Sequence, residues 1–233
     1  MTMAPWTKTV PIDSLPLSAA VSFIPDQLKA GIVEAMLTTN IFFEALPFQR
    51  VAGAIGEIGE TYYQNCANDV PEISSAAKKL GRAYMRDVAE TLSTHNPMSV
   101  ANQPIDFDLI GFLHSQVKAA DFFMAHNTLI RSIHTLYRKS GTAWDDQQEF
   151  PSGRIVPVHK GVPIFRNDFM DEKSIVIGRF DDGTKTKGVS GLIPDDGFIG
   201  AARYNSGWLL TFTGELAIFD DTAVASLTDV ERY

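Results

Sequence analysis

Cysteine is almost absent. Cys66 is the only one in 233 residues, which excludes an intrachain disulfide and leaves no Cys/His spacing for a zinc site. Cys66 itself is expected to be a small buried or half-buried residue. An excess of positive charge is also missing: 20 basic residues stand against 28 acidic ones, a formal net charge of −8. That excludes a broad basic surface for gripping nucleic-acid phosphates, but not a container that merely surrounds nucleic acid. No apolar run reaches the ~18–20 residues needed to span a bilayer. The N-terminal stretch "MTMAPWTKTVPIDSLPLSAA" lacks a basic region followed by an apolar one, so it does not read as a secretion signal. The expectation is a soluble chain, made and assembled in a cytoplasm, with no membrane partner. Internal repeats and low-complexity tracts are missing too.

Motifs of catalysis are equally scarce. The sequence contains no GxxxxGK[ST] phosphate loop, no GxGxxG, no GxSxG nucleophile elbow and no HExxH. His95, His114, His126, His134 and His159 do not fall at ligand spacing. His126 and His134 flank a predicted helix and are expected to be partly buried polar groups. Paired acids occur at Asp145–Asp146, Asp181–Asp182, Asp195–Asp196 and Asp220–Asp221. Such pairs can hold a divalent cation or serve as acid and base. Yet Asp181–Asp182 and Asp195–Asp196 each precede a glycine between strand-like runs, where aspartates cap turns. Asp220 and Asp221 precede a predicted helix and read as its cap. The expectation is therefore no catalytic residue, no metal ligand and no cofactor.

What is present suits a globular chain long enough to bury a core: 45% hydrophobic, 21% charged, 10% aromatic. Residues 1–22, rich in Pro, Ser and Thr, read as an extended arm that is mobile or lies on a neighbour. A first helix is predicted from Pro25 to Asn40, with Leu28, Ile32, Val33 and Met36 on one face. Residues 41–65 are glycine-punctuated and strand-like. The clearest helix runs from Pro71 to Thr94, about 35 Å long. Ile73, Ala77, Leu80, Tyr84, Val88 and Leu92 form its apolar face, and Lys78, Lys79, Arg82 and Arg86 lie mostly on the other. A shorter helix follows Asp106 as N-cap. "DFFMAH" reads as a buried strand, and Asn127 as the cap of a helix that Gly141 stops. From residue 149 the texture is β: "GRIVPV", "GVPIF" and "SIVIGRF" are short strands, "FDDGTKTKGVSGLI" reads as a hairpin and "GWLLTFTGELAIF" as one long strand, with a closing helix or turn after it. Helices come first and strands later, without regular β-α-β alternation, so the fold class is α+β.

The segment "VPIFRNDF", residues 162–169, sets Arg166, Asn167 and Asp168 beside large apolar residues. Pro163 cannot donate to a ladder, which places this strand at an edge or an end. Asn167 and Asp168 suit a turn, and Arg166 can pair with a carboxylate across it or on another subunit. No nucleophile or base stands near them in the sequence.

Three blocks follow in order: "PSGRIVPVHKGVPIFRNDFM", "SIVIGRFDDGTKTKGVSGLI" and "GWLLTFTGELAIFDDTAVASL". With "LPFQRVAG", "ISSAAKKLGRAYMRDVAETL" and "DFFMAHNTLIRSIHTLYRKSG", they resemble the major capsid proteins of tailed bacteriophages, the Hong Kong 97-like fold, over roughly residues 41–228. The resemblance implies an N-terminal arm and first helix (1–40), an extended-loop region (41–70), a peripheral domain with a spine helix (71–104), an axial domain (105–199) and a long returning strand (200–233). It implies a non-enzymatic shell protein that forms hexamers and pentamers of itself and encloses double-stranded DNA without reading its sequence. The expected location is the virion capsid, assembled in the host cytoplasm. Portal, scaffold or protease, and a decoration protein, are the implied partners. An encapsulin-like shell around a protein cargo is the alternative, or a non-shell tail or adaptor component. One departure stands out: relatives carry several tens of residues between the LPF block and the spine helix, and here the loop is drastically short. The structural and inter-subunit candidates are Arg166, Asn167, Asp168, Lys78, Lys79, Arg82 and Arg86, with the basic residues of the helix expected to face the lumen, a neighbour's acids or solvent.

Overall fold

The computed structural model describes residues 2–5, 35, 38–51, 61–67, 70–141, 146–194, 199–204, 207–213 and 215–233. Its helices are α1 (Phe42–Ala45), α2 (Val70–Thr94), α3 (Phe107–Gln116) and α4 (Asn127–Lys139), with a 3-10 turn at Asp221–Ala223. The strands are β1 (Thr2–Pro5), β2 (Phe48–Val51), β3 (Thr61–Ala67), β4 (Pro97–Ser99), β5 (Phe122–Ala125), β6 (Gln147–Glu149), β7 (Ile155–His159), β8 (Val162–Arg166), β9 (Ile175–Gly178), β10 (Val189–Pro194), β11 (Ile199–Tyr204), β12 (Gly207–Thr213), β13 (Glu215–Ile218) and β14 (Val224–Thr228).

The four side chains of β5, Phe122 to Ala125, are all buried, because both faces of its sheet are covered. Phe122 and Met124 point to one side, where α2 brings Ala77, Leu80, Tyr84, Val88 and Leu92. Phe123 and Ala125 point to the other, where α3 and α4 bring Leu109, Ile110, Leu113, Leu129 and Ile133. The period-2 alternation repeats along β9, with Val176 toward α2 and Ile175 and Ile177 away from it, and along β14, with Val224 toward α2 and Leu227 away. The result is a seven-stranded mixed sheet, ordered β4-β14-β9-β5-β8-β7-β6, between one long helix and two shorter ones. Phe42 adds edge-on ring contacts with Phe122 and Phe165, at 5.2 and 5.3 Å between centroids.

α2 outruns this sheet. It packs against β14 and β9 and also against β3 and β12 of a three-stranded sheet ordered β11-β12-β3. A four-stranded sheet, β1-β13-β10-β2, joins the α2-side core through Val189, Leu216 and Ile218. Gly191 in β10 lies under Phe48 of β2, where a Cβ would come within 2.5 Å of the ring.

Several elements agree with expectation. Asp106 caps α3 by accepting from the Leu109 amide at 2.7 Å. Gly141 follows α4 at φ +73°. Lys160 and Gly161, both at positive φ, form the tight β7–β8 turn. Others differ. The cap of α4 is His126, whose ring nitrogen accepts from the Thr128 amide at 3.2 Å, and Asn127 is the first helical residue. His134 is exposed, not partly buried, because it falls on the solvent side of α4. Phe42–Ala45 is a helical turn where strand was expected, and the turn lets the adjacent Phe42 and Phe43 both reach the same core, where a strand would send them to opposite faces. "FDDGTKTKGVSGLI" is a crossover between sheets, β9 belonging to one and β10 to another. "GWLLTFTGELAIF" is likewise two strands, β12 and β13, paired in different sheets. The closing segment, expected as a helix or turn, opens with a 3-10 turn but continues as the strand β14, buried on both faces. Of the predicted arm, Thr2–Pro5 is described, paired with β13 of its own chain. Most of the predicted first helix, the Asp195–Asp196 pair and the side chain of Cys66 lie outside what is described.

The β9–β10 crossover is stitched by polar side chains. Asp181, buried, accepts from the Gly183 amide at 2.6 Å and from Gln49 at 3.0 Å. Asp182 accepts from the Thr184 amide at 2.7 Å and the Thr186 amide at 3.0 Å, and these bonds, Thr184 first, hold its carboxyl down to about 2. Arg179 donates to the carbonyls of Lys187 and Lys118 and to Asp220 at 2.9 Å. Asp220 in turn caps the 3-10 turn through the Thr222 amide, which lowers its own pKa. Asp181, Asp182 and Asp220 therefore act as turn caps.

Gly178 sits against the Phe122 ring, 2.3 Å from where a Cβ would be. Gly178→Ala is expected to cost about 1–3 kcal/mol in urea unfolding, because ring or backbone must move in a close-packed core. His159 is buried, shares a hydrogen bond between Nδ1 and the Tyr137 hydroxyl, and has no partner for Nε2 among the described residues. Burial foremost, with Lys160 and His114 nearby, pushes its pKa down to about 4. The unfolded chain therefore takes up this proton first as pH falls from about 6.5 toward 4, and stability drops across that window, by about 2 kcal/mol. His159→Gln is expected to flatten that part of the curve, read from urea midpoints at pH 7 and pH 4.5.

Candidate functional site

The turn after β8 gathers the residues that the sequence singled out. Arg166 donates from Nε and a terminal nitrogen to both carboxylate oxygens of Asp168, at 2.7 and 2.6 Å, a two-pronged pair on the surface. That pairing keeps the Arg166 guanidinium charged and holds the Asp168 carboxyl below its usual range, the Arg166 hydrogen bonds being the main cause. Both side chains remain about half exposed, 58% and 48%, so the pair contributes little to stability.

Asn167 between them is the opposite case. It is 1% exposed. Its side-chain amide donates to the Met85 carbonyl of α2 at 2.8 Å, and its side-chain oxygen accepts from the Phe169 amide at 3.1 Å. Its backbone amide donates to the Ala125 carbonyl of β5 at 3.0 Å. One asparagine thus ties helix, sheet and turn, and each bond satisfies a group that burial has removed from water. From the other side, the Asn40 side chain donates to the Arg166 carbonyl at 2.9 Å.

Beside this turn opens a cleft of about 870 Å³. Its walls are α2 (Arg82, Met85), the start of α4 (Asn127, Ile130), the start of β7 (Ile155, Val156), the turn itself and residues 39–41. Arg154 on the rim donates to the Thr38 carbonyl. Arg86, one turn beyond Arg82 on α2, lies over the Phe169 ring at 5.3 Å. The fold therefore brings Arg166, Asn167, Asp168, Arg82 and Arg86 into one neighbourhood. Lys78 and Lys79 are exposed earlier on α2 and do not line the cleft. Sequence reasoning took Asn40 only as the stop of the first helix and gave no weight to Arg154 or Phe169. The first two act through backbone carbonyls distant in sequence, which no local pattern reveals. For Phe169, the available signal was an aromatic residue directly after a polar turn.

Among the described residues no group of three or more His, Cys, Asp or Glu side chains is placed to hold a metal ion, and no helix is long and apolar enough to cross a membrane. Asn167→Ala is expected to lower stability by about 2–3 kcal/mol, since it strands a buried carbonyl and a backbone amide, while Arg166→Ala costs less than about 1 kcal/mol. Urea unfolding of the two variants side by side measures the difference.

No protein-family model matches the chain, and no curated protein matches it by sequence. Solved structures do match. The holo-SrpI encapsulin complex from Synechococcus elongatus PCC 7942 superposes with a TM-score of 0.61 at 15% identity, over 94% of this chain and 94% of that one. A virus-like particle from Pyrococcus furiosus gives 0.53 at 13% identity, over 87% and 98%. Mycobacterium phage Patience gives 0.52 at 10%, over 96% and 90%. At these identities the similarity lies in the path of the chain, across nearly the full length of both partners in each comparison. The seven-stranded sheet backed by α2, the smaller sheets at its side and the two helices on its far face are thus the Hong Kong 97-like capsid fold.

Proposed function

We propose that this chain is the building block of a closed icosahedral shell, a major capsid protein that self-assembles into hexamers and pentamers. The observation that carries the reading is the end-to-end structural similarity to an encapsulin and to a virus-like particle, over 94% and 98% of those chains. Shell building needs complementary edges repeated with closed symmetry, and no pocket chemistry. The long α2, the exposed edge strand β6 and the β11-β12-β3 sheet are extended surfaces of that kind. Many weak contacts between such surfaces add up across a particle.

In this reading α2 is the spine helix. The seven-stranded sheet with α3 and α4 is the axial domain, and the β11-β12-β3 sheet belongs to the peripheral domain. The extended-loop region is residues 41–70, drastically short or absent beside its relatives, so contacts between facing surfaces, or a decoration protein, take the place of a long strap over a neighbour.

The resemblance of the sequence blocks to tailed-phage capsid proteins favours double-stranded DNA as the content, enclosed without sequence-specific contacts. Portal, scaffold or protease are then the partners, and the virion the location. The TM-score of 0.61 to an encapsulin supports a second reading, a shell around a protein cargo. Electron microscopy of the purified recombinant chain tests the shared part: closed icosahedral particles are expected, and a monodisperse monomer or open ring in every buffer tried would contradict it. Particles from the native source decide the content. DNA of uniform length protected from nuclease supports the genome, and a single abundant co-purifying protein without DNA supports the cargo.

A further inference from the structure

Large apolar side chains stand exposed among the described residues at Phe112, Ile155, Phe169 and Tyr233. Ile155, at 57% exposure, and Phe169, at 40%, flank the cleft beside the Arg166–Asp168 turn. Arg82 and Arg154 line the same cleft, and the acid among its lining residues, Asp168, is bound by Arg166. The cleft is therefore an apolar socket with excess positive charge, on a chain whose net charge is −8.

A complementary shape stands elsewhere on the same chain. Phe112, 48% exposed, projects from α3 as a knob, and the exposed Asp108 lies one turn earlier on the same face. α3 packs over β14, and Gln116 at its end borders a groove shared with Pro97 and Met98 of the edge strand β4. The cleft lies against the start of β7 and the end of β8, whereas Gly111 in the middle of α3 sits near Lys160 in the turn joining those strands. Socket and knob are thus separate patches of one subunit. Two different patches make head-to-tail contacts, the kind that can close into rings.

We propose that the cleft receives α3 of a second copy of this chain, with Phe112 seated between Ile155 and Phe169 and Asp108 facing Arg82. An aromatic anchor in a pocket beside an arginine is the composition that dominates interface energies. The contact deepens the shell reading by naming one of its repeating joints, and it rests on that reading for its repetition around a particle.

A charge-swap cycle tests it. Arg82→Asp and Asp108→Arg are each expected to cut particle yield about tenfold, and the double variant to recover to within about threefold of wild type. Single variants that assemble like wild type, or a double variant no better than either, overturn the pairing. Phe112→p-benzoylphenylalanine needs no closed particle. Photo-crosslinks from position 112 to cleft residues of a second chain support the contact, even in a preparation that forms only small oligomers and so contradicts the shell reading. Adducts elsewhere, or none, overturn the contact whether or not particles form.

Discussion

A strand with every side chain buried requires cover on both faces of its sheet, and the rest of this structure follows from meeting that requirement for β5. Phe122 and Met124 need α2, and Phe123 and Ala125 need α3 and α4. The length of α2 then has a second use. Having covered the large sheet, it continues onto β3 and β12, so that one helix links two sheets. Asn167 secures this arrangement at its middle, because it bonds both the helix backbone and the strand backbone from a position water cannot reach. Hydrophobic cover supplies most of the stabilisation, while the asparagine fixes where along the sheet the helix sits.

Much of this was legible in the sequence. The α2 periodicity, the all-apolar "FFMA", the Asp106 cap and the aspartate turns rest on local rules, and local rules work where the interactions are local. Two of the failures share one cause. Whether "FDDGTKTKGVSGLI" is a hairpin or a crossover depends on which strands lie beside β9 and β10, and nothing within the segment states it. Likewise "GWLLTFTGELAIF" has the composition of one strand but serves two sheets. His126 took the cap from Asn127 because an imidazole nitrogen can accept an amide hydrogen bond as a carbonyl oxygen does. Around the cleft, Arg166–Asp168 were visible as a cluster, but the roles divided unexpectedly. The charged pair sits on the surface, and the neutral residue between them bears the structural work. Charge draws attention in a sequence; burial, which decides energetic weight, is invisible there.

The acidic composition also takes on a physical sense. A chain at −8 repels its copies at long range, so association in the proposed shell would have to come from local patches where the sign reverses. The arginine-lined cleft is the patch proposed for it. Screening by salt weakens the general repulsion more than close, partly desolvated contacts, which would make ionic strength a natural control on assembly of the proposed shell.

Arg179 has a mechanical consequence. Its side chain holds the β9–β10 crossover through Lys187, the end of α3 through Lys118, and the β13–β14 crossover through Asp220. Both passages of the chain between the large and the four-stranded sheet are thereby riveted at one point. A load that tilts the smaller sheet is delivered to the larger one as torque about that rivet, not dissipated in two slack connections. In the proposed shell, subunits jointed in this way would transmit strain from neighbour to neighbour, so a deformation imposed at one vertex would be felt as curvature across its faces.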